Sequence, residues 1–171
     1  MTFVLGGARS GKSLWAENHV LESRLAPVYL ATAEAHDEEM QRRIAQHRAQ
    51  RDEHWTTVEE PLDLARALKE NAGEGRAVLV DCLTLWLANL MAAERDVIKE
   101  AEAVCRVLGT IGGHVTVVSN EVGQGIVPAN KVAREFRDHA GRLHQQVAAL
   151  SGKVVFVTAG LAQVLKGEGR S

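Results

Sequence analysis

Dense apolar runs alternate along the chain with longer stretches in which apolar residues return every three or four positions. The runs at residues 2–5, 27–31, 77–81, 115–119 and 153–158 are short, rich in Val and continuous. That is the pattern of strands buried on both faces. A weaker extended segment covers residues 54–59. Helical spacing covers residues 12–23, 37–51, 62–71, 83–91, 96–108 and 129–150, with Pro61 suited to the first turn of the third. The last helix is expected to break near Gly141, and the tail beyond Leu165 to be short, polar and frayed. The helix at 83–91 is apolar most of the way round, with Leu83, Trp86, Leu87 and Leu90, which places it in a core or a subunit interface. Strand and helix alternate throughout, so the prediction is an α/β three-layer fold with a mainly parallel central sheet.

Composition narrows this picture. The 171 residues suit a single domain over 1–171 with a sizeable core. A net charge of −2 implies no general affinity for nucleic acid. Cys82 and Cys105 form no C-x-x-C pair, so reduced cysteines in a cytoplasmic protein are expected. No apolar stretch approaches the roughly 20 residues of a membrane span, and the four-residue run at the start leads straight into glycines rather than resembling a signal peptide.

Those glycines open the strongest motif. Gly6, Gly7, Ala8, Arg9, Ser10, Gly11, Lys12 and Ser13 fill every fixed position of the G-x-x-x-x-G-K-[ST] phosphate loop, between a predicted strand and a predicted helix. Glycines let the backbone wrap a phosphate with its N–H groups, and the helix adds its positive end. Lys12 should reach the β- and γ-phosphates of a nucleotide, and Ser13 should ligate Mg²⁺. The loop makes the fold a P-loop nucleoside-triphosphate-binding domain, and the RecA-like kind is the one expected. A Rossmann dinucleotide domain would carry G-x-G-x-x-G instead.

Three further stretches join the loop. Asp81 ends an apolar run, which predicts a strand that sets its carboxylate beside the phosphate loop to hold Mg²⁺ directly or through water. Many strands end in Asp, so the pairing with the loop carries that reading. Thr32 and Ala33 follow another strand and either leave room for a nucleotide or form a plain turn. On the helix at 37–51, Arg43 lies one turn before His47 and Arg51 one turn after it. This is either a solvated basic face or a polyphosphate clamp around an imidazole.

Taken together these residues resemble one family, the bifunctional adenosylcobinamide kinase / adenosylcobinamide-phosphate guanylyltransferase of cobalamin biosynthesis. The resemblance lies in Gly6–Ser13, in Tyr29–Ala33, in Arg43–Arg48 and in His54–Glu59. It continues through Asp81–Leu87 and the Asn120–Pro128 loop, Asn-Glu-Val-Gly-Gln-Gly-Ile-Val-Pro. That last loop and the His47 helix are the specific parts, since the phosphate loop alone is shared with many families. The stretch between Leu90 and Val115 looks short for the family but touches no motif.

The resemblance implies two reactions. ATP or GTP phosphorylates adenosylcobinamide, and GTP then gives GMP to adenosylcobinamide phosphate through a covalent histidine intermediate at His47. It further implies nucleotide contacts from the phosphate loop, Ala31, Thr32, Ala33, Arg48, Ala49, Gln50, Arg51, Glu59 and Asp81, and a homotrimeric assembly. Lys12 and His47 are the catalytic candidates, and Ser13 and Asp81 the metal candidates. A neutral imidazole can attack phosphorus, and flanking Arg43 and Arg51 would disfavour its protonated form. A small-molecule kinase or a nucleotide switch without guanylyl transfer is the competing reading.

Overall fold

A computed structural model of the chain describes residues 1–34, 42 and 54–167. The helix predicted over residues 37–51 therefore lies, Arg42 apart, outside the described residues. So do Arg43, His47, Arg48, Ala49, Gln50 and Arg51.

Among the described residues the strands are β1 (Thr2–Gly6), β2 (Ala26–Ala31), β3 (Thr56–Glu59), β4 (Arg76–Asp81), β5 (His114–Asn120), β6 (Lys153–Thr158) and β7 (Leu161–Lys166). The helices are α1 (Lys12–Leu21), α2 (Leu64–Asn71), α3 (Leu83–Ala92), α4 (Val97–Thr110) and α5 (Lys131–Leu150). All seven strands form one sheet in the order β3-β2-β4-β5-β1-β6-β7. Every pairing is parallel except that of β6 with β7.

The sheet is buried on both faces, which is why its strands read as continuous apolar runs. Phe3, Val28, Leu30, Val78, Val80, Val115 and Val117 pack on one side with side chains of α2, α3, α4 and α5. Val4, Tyr29, Leu79, Val118, Val155 and Val157 pack on the other with Ala16 and Val20 of α1. The three layers expected from the sequence are present. The apolar helix α3 belongs to the core of the chain itself: Leu83, Trp86, Leu87 and Leu90 are each no more than 1% exposed.

Several expectations need correction. β7 was not foreseen, because residues 161–166 carry Gln163 and Lys166 and lack a familiar hairpin signal. Its turn is Ala159-Gly160, with φ of 52° and 78°. Two central residues with positive φ make a hairpin turn that usually draws Asn-Gly, and Ala hides it. Lys166 also ties this end down, its Nζ donating to the Ala148 and Ala149 carbonyls at 2.9 Å each. Helix α5 runs unbroken through Gly141 and starts at Lys131, where Asn130 Oδ1 accepts from the Val132 and Ala133 N–H groups. The strand order, which the sequence left open, puts β5 between β4 and β1, so Asp81 lies two strands from the phosphate loop.

Trp86 offers a test of the core. Its ring is fully buried and its Nε1 donates to the Leu62 carbonyl at 2.8 Å, so it locks α3 to the start of α2. Trp86→Ala should cost about 3–5 kcal/mol in urea unfolding. A loss below about 1 kcal/mol would place Trp86 outside the core.

Candidate active site

In a parallel sheet the strands deliver their carboxyl ends to one edge, and ligands bind there. The register shows which residues meet. Glu59 pairs with Ala31, and Ala31 with Asp81. Gly6 pairs with Asn120 on one side and with Val157 on the other. Glu59, Ala31, Asp81 and the phosphate loop thus share an edge, with Asp81 two strand spacings, roughly 10 Å, from β1.

The phosphate loop is held by its neighbours. The Gly6 carbonyl accepts from the Glu121 N–H at 3.0 Å, and the Ser10 carbonyl from the Gly160 N–H at 2.8 Å. A Cβ on Gly6 would lie 2.6 Å from the Val157 carbonyl oxygen, so no larger residue fits. Gly11 has φ of 94° and starts α1 in a left-handed conformation that only glycine takes without strain. Lys12 is 8% exposed, folded back so that Nζ donates to the Gly7 carbonyl at 3.1 Å. The first turn of α1 holds no acidic residue, so nothing in that turn opposes the positive end of the helix. Ala8 and Arg9 are exposed and Ser13 is half-buried. Ser10 Oγ is buried and has no hydrogen-bond partner among the described residues.

Asp81 approaches from the same side of the sheet. Side chains at 77, 79 and 81 share a face, and Ala77 and Leu79 pack with α1. The Tyr29 hydroxyl donates to Asp81 Oδ2 at 2.5 Å. The peptide after Asp81 is clamped: the Cys82 N–H donates to Thr32 Oγ1 at 2.8 Å, and that hydroxyl donates to the Cys82 carbonyl at 2.9 Å. Thr32 is fully buried and its own carbonyl accepts from Asn89 Nδ2 at 2.7 Å. Its side chain therefore faces the β4 end rather than open space, and half-buried Ala31 and Ala33 flank it.

A second set of contacts ties in the Asn120 loop. Asn120 Nδ2 donates to Thr84 Oγ1 at 2.9 Å, and Thr84 Oγ1 lies 3.0 Å from Cys82 Sγ. Burial, and then the Asp81 carboxylate, push the Cys82 thiol up, so it stays protonated and acts as packing. Residues 120 and 121 thus bridge the phosphate loop through the Gly6 carbonyl and the Asp81 strand through Thr84. Sequence reasoning passed over Thr84, Asn89 and the Tyr29 hydroxyl. The available signal was polar residues inside the apolar helix α3, since a buried polar group is the informative exception.

Hard oxygen donors suit Mg²⁺, which keeps several waters and takes one or two carboxylates. The Ser13 hydroxyl and the Asp81 carboxylate fit that demand. Among the described residues no group of three or more His, Cys, Asp or Glu gathers to form an all-protein metal cage.

The family model for cobinamide kinase / cobinamide phosphate guanyltransferase, CobU, matches residues 2–165. The chain belongs to this family. Membership makes it a kinase and guanyltransferase acting on cobinamide and its phosphate. It is 52% identical over 167 residues to the bifunctional adenosylcobalamin biosynthesis protein CobP of Pseudomonas aeruginosa, covering 96% of each chain. It is 36% identical over 181 aligned positions to the bifunctional adenosylcobalamin biosynthesis protein CobU of Escherichia coli, covering 97% of this chain and 99% of that one. Two solved structures share the fold alone. One, from a structural study of a Pyrococcus horikoshii OT3 protein, gives a TM-score of 0.54 at 12% identity over 98% of this chain and 86% of that one. The RadB recombinase gives 0.52 at 19% identity over 91% of this chain and 72% of that one. The RecA-like P-loop architecture expected from the sequence is the one found. Among the described residues no helix is long and apolar enough to cross a membrane.

Behind the same edge, Ser119 Oγ lies 2.7 Å from His144 Nε2, and the Phe3 ring packs on the imidazole at 5.7 Å. Burial pushes His144 below its ordinary value, partly offset by the Glu121 carboxylate. The unfolded chain therefore binds a proton here more readily than the folded one. The neutral imidazole's contribution is present above a pH of about 6.5 and is lost as pH falls toward the lower folded value. His144→Gln should lose less stability than the wild type between about pH 7.5 and about pH 5 in urea unfolding. An unchanged pH dependence would contradict this account of His144.

Proposed function

We propose that the Gly6–Ser13 loop binds the triphosphate for two successive transfers within one domain. ATP or GTP first phosphorylates adenosylcobinamide, and GTP then guanylylates the phosphate to give adenosylcobinamide-GDP. The observation that carries this reading is the complete phosphate loop, with Lys12 Nζ held on its own Gly7 carbonyl, in a chain that matches the family model over residues 2–165.

Lys12 and the loop N–H groups hold and orient the phosphates, and phosphoryl transfer needs positioning and charge neutralisation above all. Mg²⁺, held by Ser13 and Asp81, would neutralise charge on the phosphates. The positive end of α1 favours the anion in the same corner. In the kinase step the acceptor hydroxyl attacks the γ-phosphorus, a new P–O bond forms, and the bond to the β-phosphate oxygen breaks.

For the second transfer the nucleophile is His47. Its neutral imidazole attacks the α-phosphorus, a P–N bond forms and pyrophosphate leaves. A phosphate oxygen of adenosylcobinamide phosphate then attacks the same phosphorus, the P–N bond breaks, and His47 is restored. Arg48, Ala49, Gln50, Arg51 and Glu59 are assigned to nucleotide contacts on the resemblance noted above.

Incubation with Mg²⁺ and α-labelled GTP tests the reading. The wild type should carry GMP as a phosphoramidate on His47, stable in alkali and cleaved by acid. His47→Ala should lose the label and the GDP-linked product yet still phosphorylate adenosylcobinamide. Lys12→Ala should lower both activities together by at least the roughly 10- to 100-fold that one charge-assisted contact represents. A wild type that takes no label would favour a simple kinase or a switch. A label on another histidine, or in His47→Ala, would overturn the assignment of His47.

A further inference from the structure

We propose that Tyr29 is a positioning residue that disposes Asp81 to ligate through one oxygen and so biases the cation site toward Mg²⁺ and against Ca²⁺. The proposal rests on Asp81 ligating the metal directly, one of the two arrangements given above. Tyr29 stands on β2 opposite Leu79, and Asp81 lies two residues further along β4 on the same face. The phenol therefore reaches diagonally across the pair to the carboxylate, and its hydroxyl donates to Oδ2 at 2.5 Å. An O–H group donating to a carboxylate is among the stronger hydrogen bonds in proteins. Oδ1 makes no hydrogen bond among the described residues.

The geometry leaves the pair little freedom. Tyr29 is 4% exposed, packed with Val4, Leu79 and Val118, and its ring meets Trp55 edge-on at 5.9 Å and 82°. The phenol cannot swing away without opening that packing. On the other side, Thr32 Oγ1 holds both the N–H and the carbonyl of Cys82, so the backbone after Asp81 is pinned as well. Asp81 is thus fixed at the phenol and at its own main chain.

A carboxylate oxygen that accepts from a phenol keeps a second lone pair but gives up electron density and room on that side, so the other oxygen is the better ligand for a cation. Mg²⁺ accepts such a ligand, because it demands a compact octahedron and fills it largely with water and phosphate oxygens. Ca²⁺ takes six to eight oxygens and commonly engages carboxylates through both. Tyr29 therefore disfavours the larger ion without touching either. Removing its hydroxyl frees Oδ2 and lets Asp81 bind through two oxygens.

The test is cation competition, read by electron paramagnetic resonance of free Mn²⁺. The protein is loaded with Mn²⁺ and the α,β-methylene analogue of GTP, which cannot transfer GMP. Mg²⁺ and Ca²⁺ are then titrated against the bound Mn²⁺. Tyr29→Phe keeps the ring that packs on Trp55, and a urea midpoint checks that it folds. In this variant the ability of Ca²⁺ to displace Mn²⁺, relative to Mg²⁺, should rise by roughly fivefold, the worth of about one net hydrogen bond. Asp81→Asn serves as the control and should weaken Mn²⁺ binding. If Asp81→Asn binds Mn²⁺ as the wild type does, the metal reading of Asp81 fails. If it weakens binding while Tyr29→Phe keeps the wild-type ratio of Ca²⁺ to Mg²⁺, the inference about Tyr29 is overturned.

Discussion

The parallel pairing of β1, β5 and β4 is the constraint on which the site depends. Parallel strands deliver their carboxyl ends to one edge, and the register sets Gly6 level with Asn120 and Ala31 level with both Asp81 and Glu59. The Gly6 carbonyl is held by the Glu121 N–H, so the phosphate loop begins at a height set by β5. Were β5 to slip by one residue, Asn120 would no longer stand level with Gly6, and Val117 and Val118 would exchange the two packed faces.

Asn120 and Glu121 give β5 a second purpose. Because this strand separates the phosphate loop from Asp81, its end spans the gap between them, bonded to Gly6 on one side and to Thr84 on the other. Thr32 and Asn89 extend the same network: the hydroxyl of Thr32 grips Cys82, and the amide of Asn89 joins the Thr32 carbonyl to that of Pro61 at 3.2 Å. These groups are buried and satisfied, so each contributes to rigidity instead of costing desolvation. The result is a stiff frame around an open edge, which suits transfer reactions that depend on placing phosphates accurately. Among the described residues Ser10 Oγ is the buried exception, and it sits in the phosphate loop itself.

Local chemistry was legible from the residues. The phosphate loop could be read because its glycines, lysine and serine act within eight neighbouring positions, and because the strand and helix around it have plain periodicities. The layers followed from runs such as residues 77–81, which stay apolar on both faces. Relations between distant residues were not legible. Nothing in residues 77–81 or 115–119 says that the second strand inserts beside the first. Tyr29 and Asp81 are 52 positions apart, and Thr32 and Cys82 are 50 apart, so the clamp on Asp81 exists only once the strands pair. β7 escaped notice for a local reason, since Ala159 occupies a left-handed turn position where Asn or Gly would have announced the hairpin.

A crystal structure with the α,β-methylene analogue of GTP and Mn²⁺ is the most direct test of the claim that this edge is the nucleotide site. The account predicts the triphosphate over the N–H groups of Gly7 to Ser13, with Lys12 Nζ moved from the Gly7 carbonyl to a phosphate oxygen. The anomalous signal of Mn²⁺ should lie between Ser13 and Asp81. A triphosphate bound elsewhere, with Lys12 still on Gly7, would contradict it.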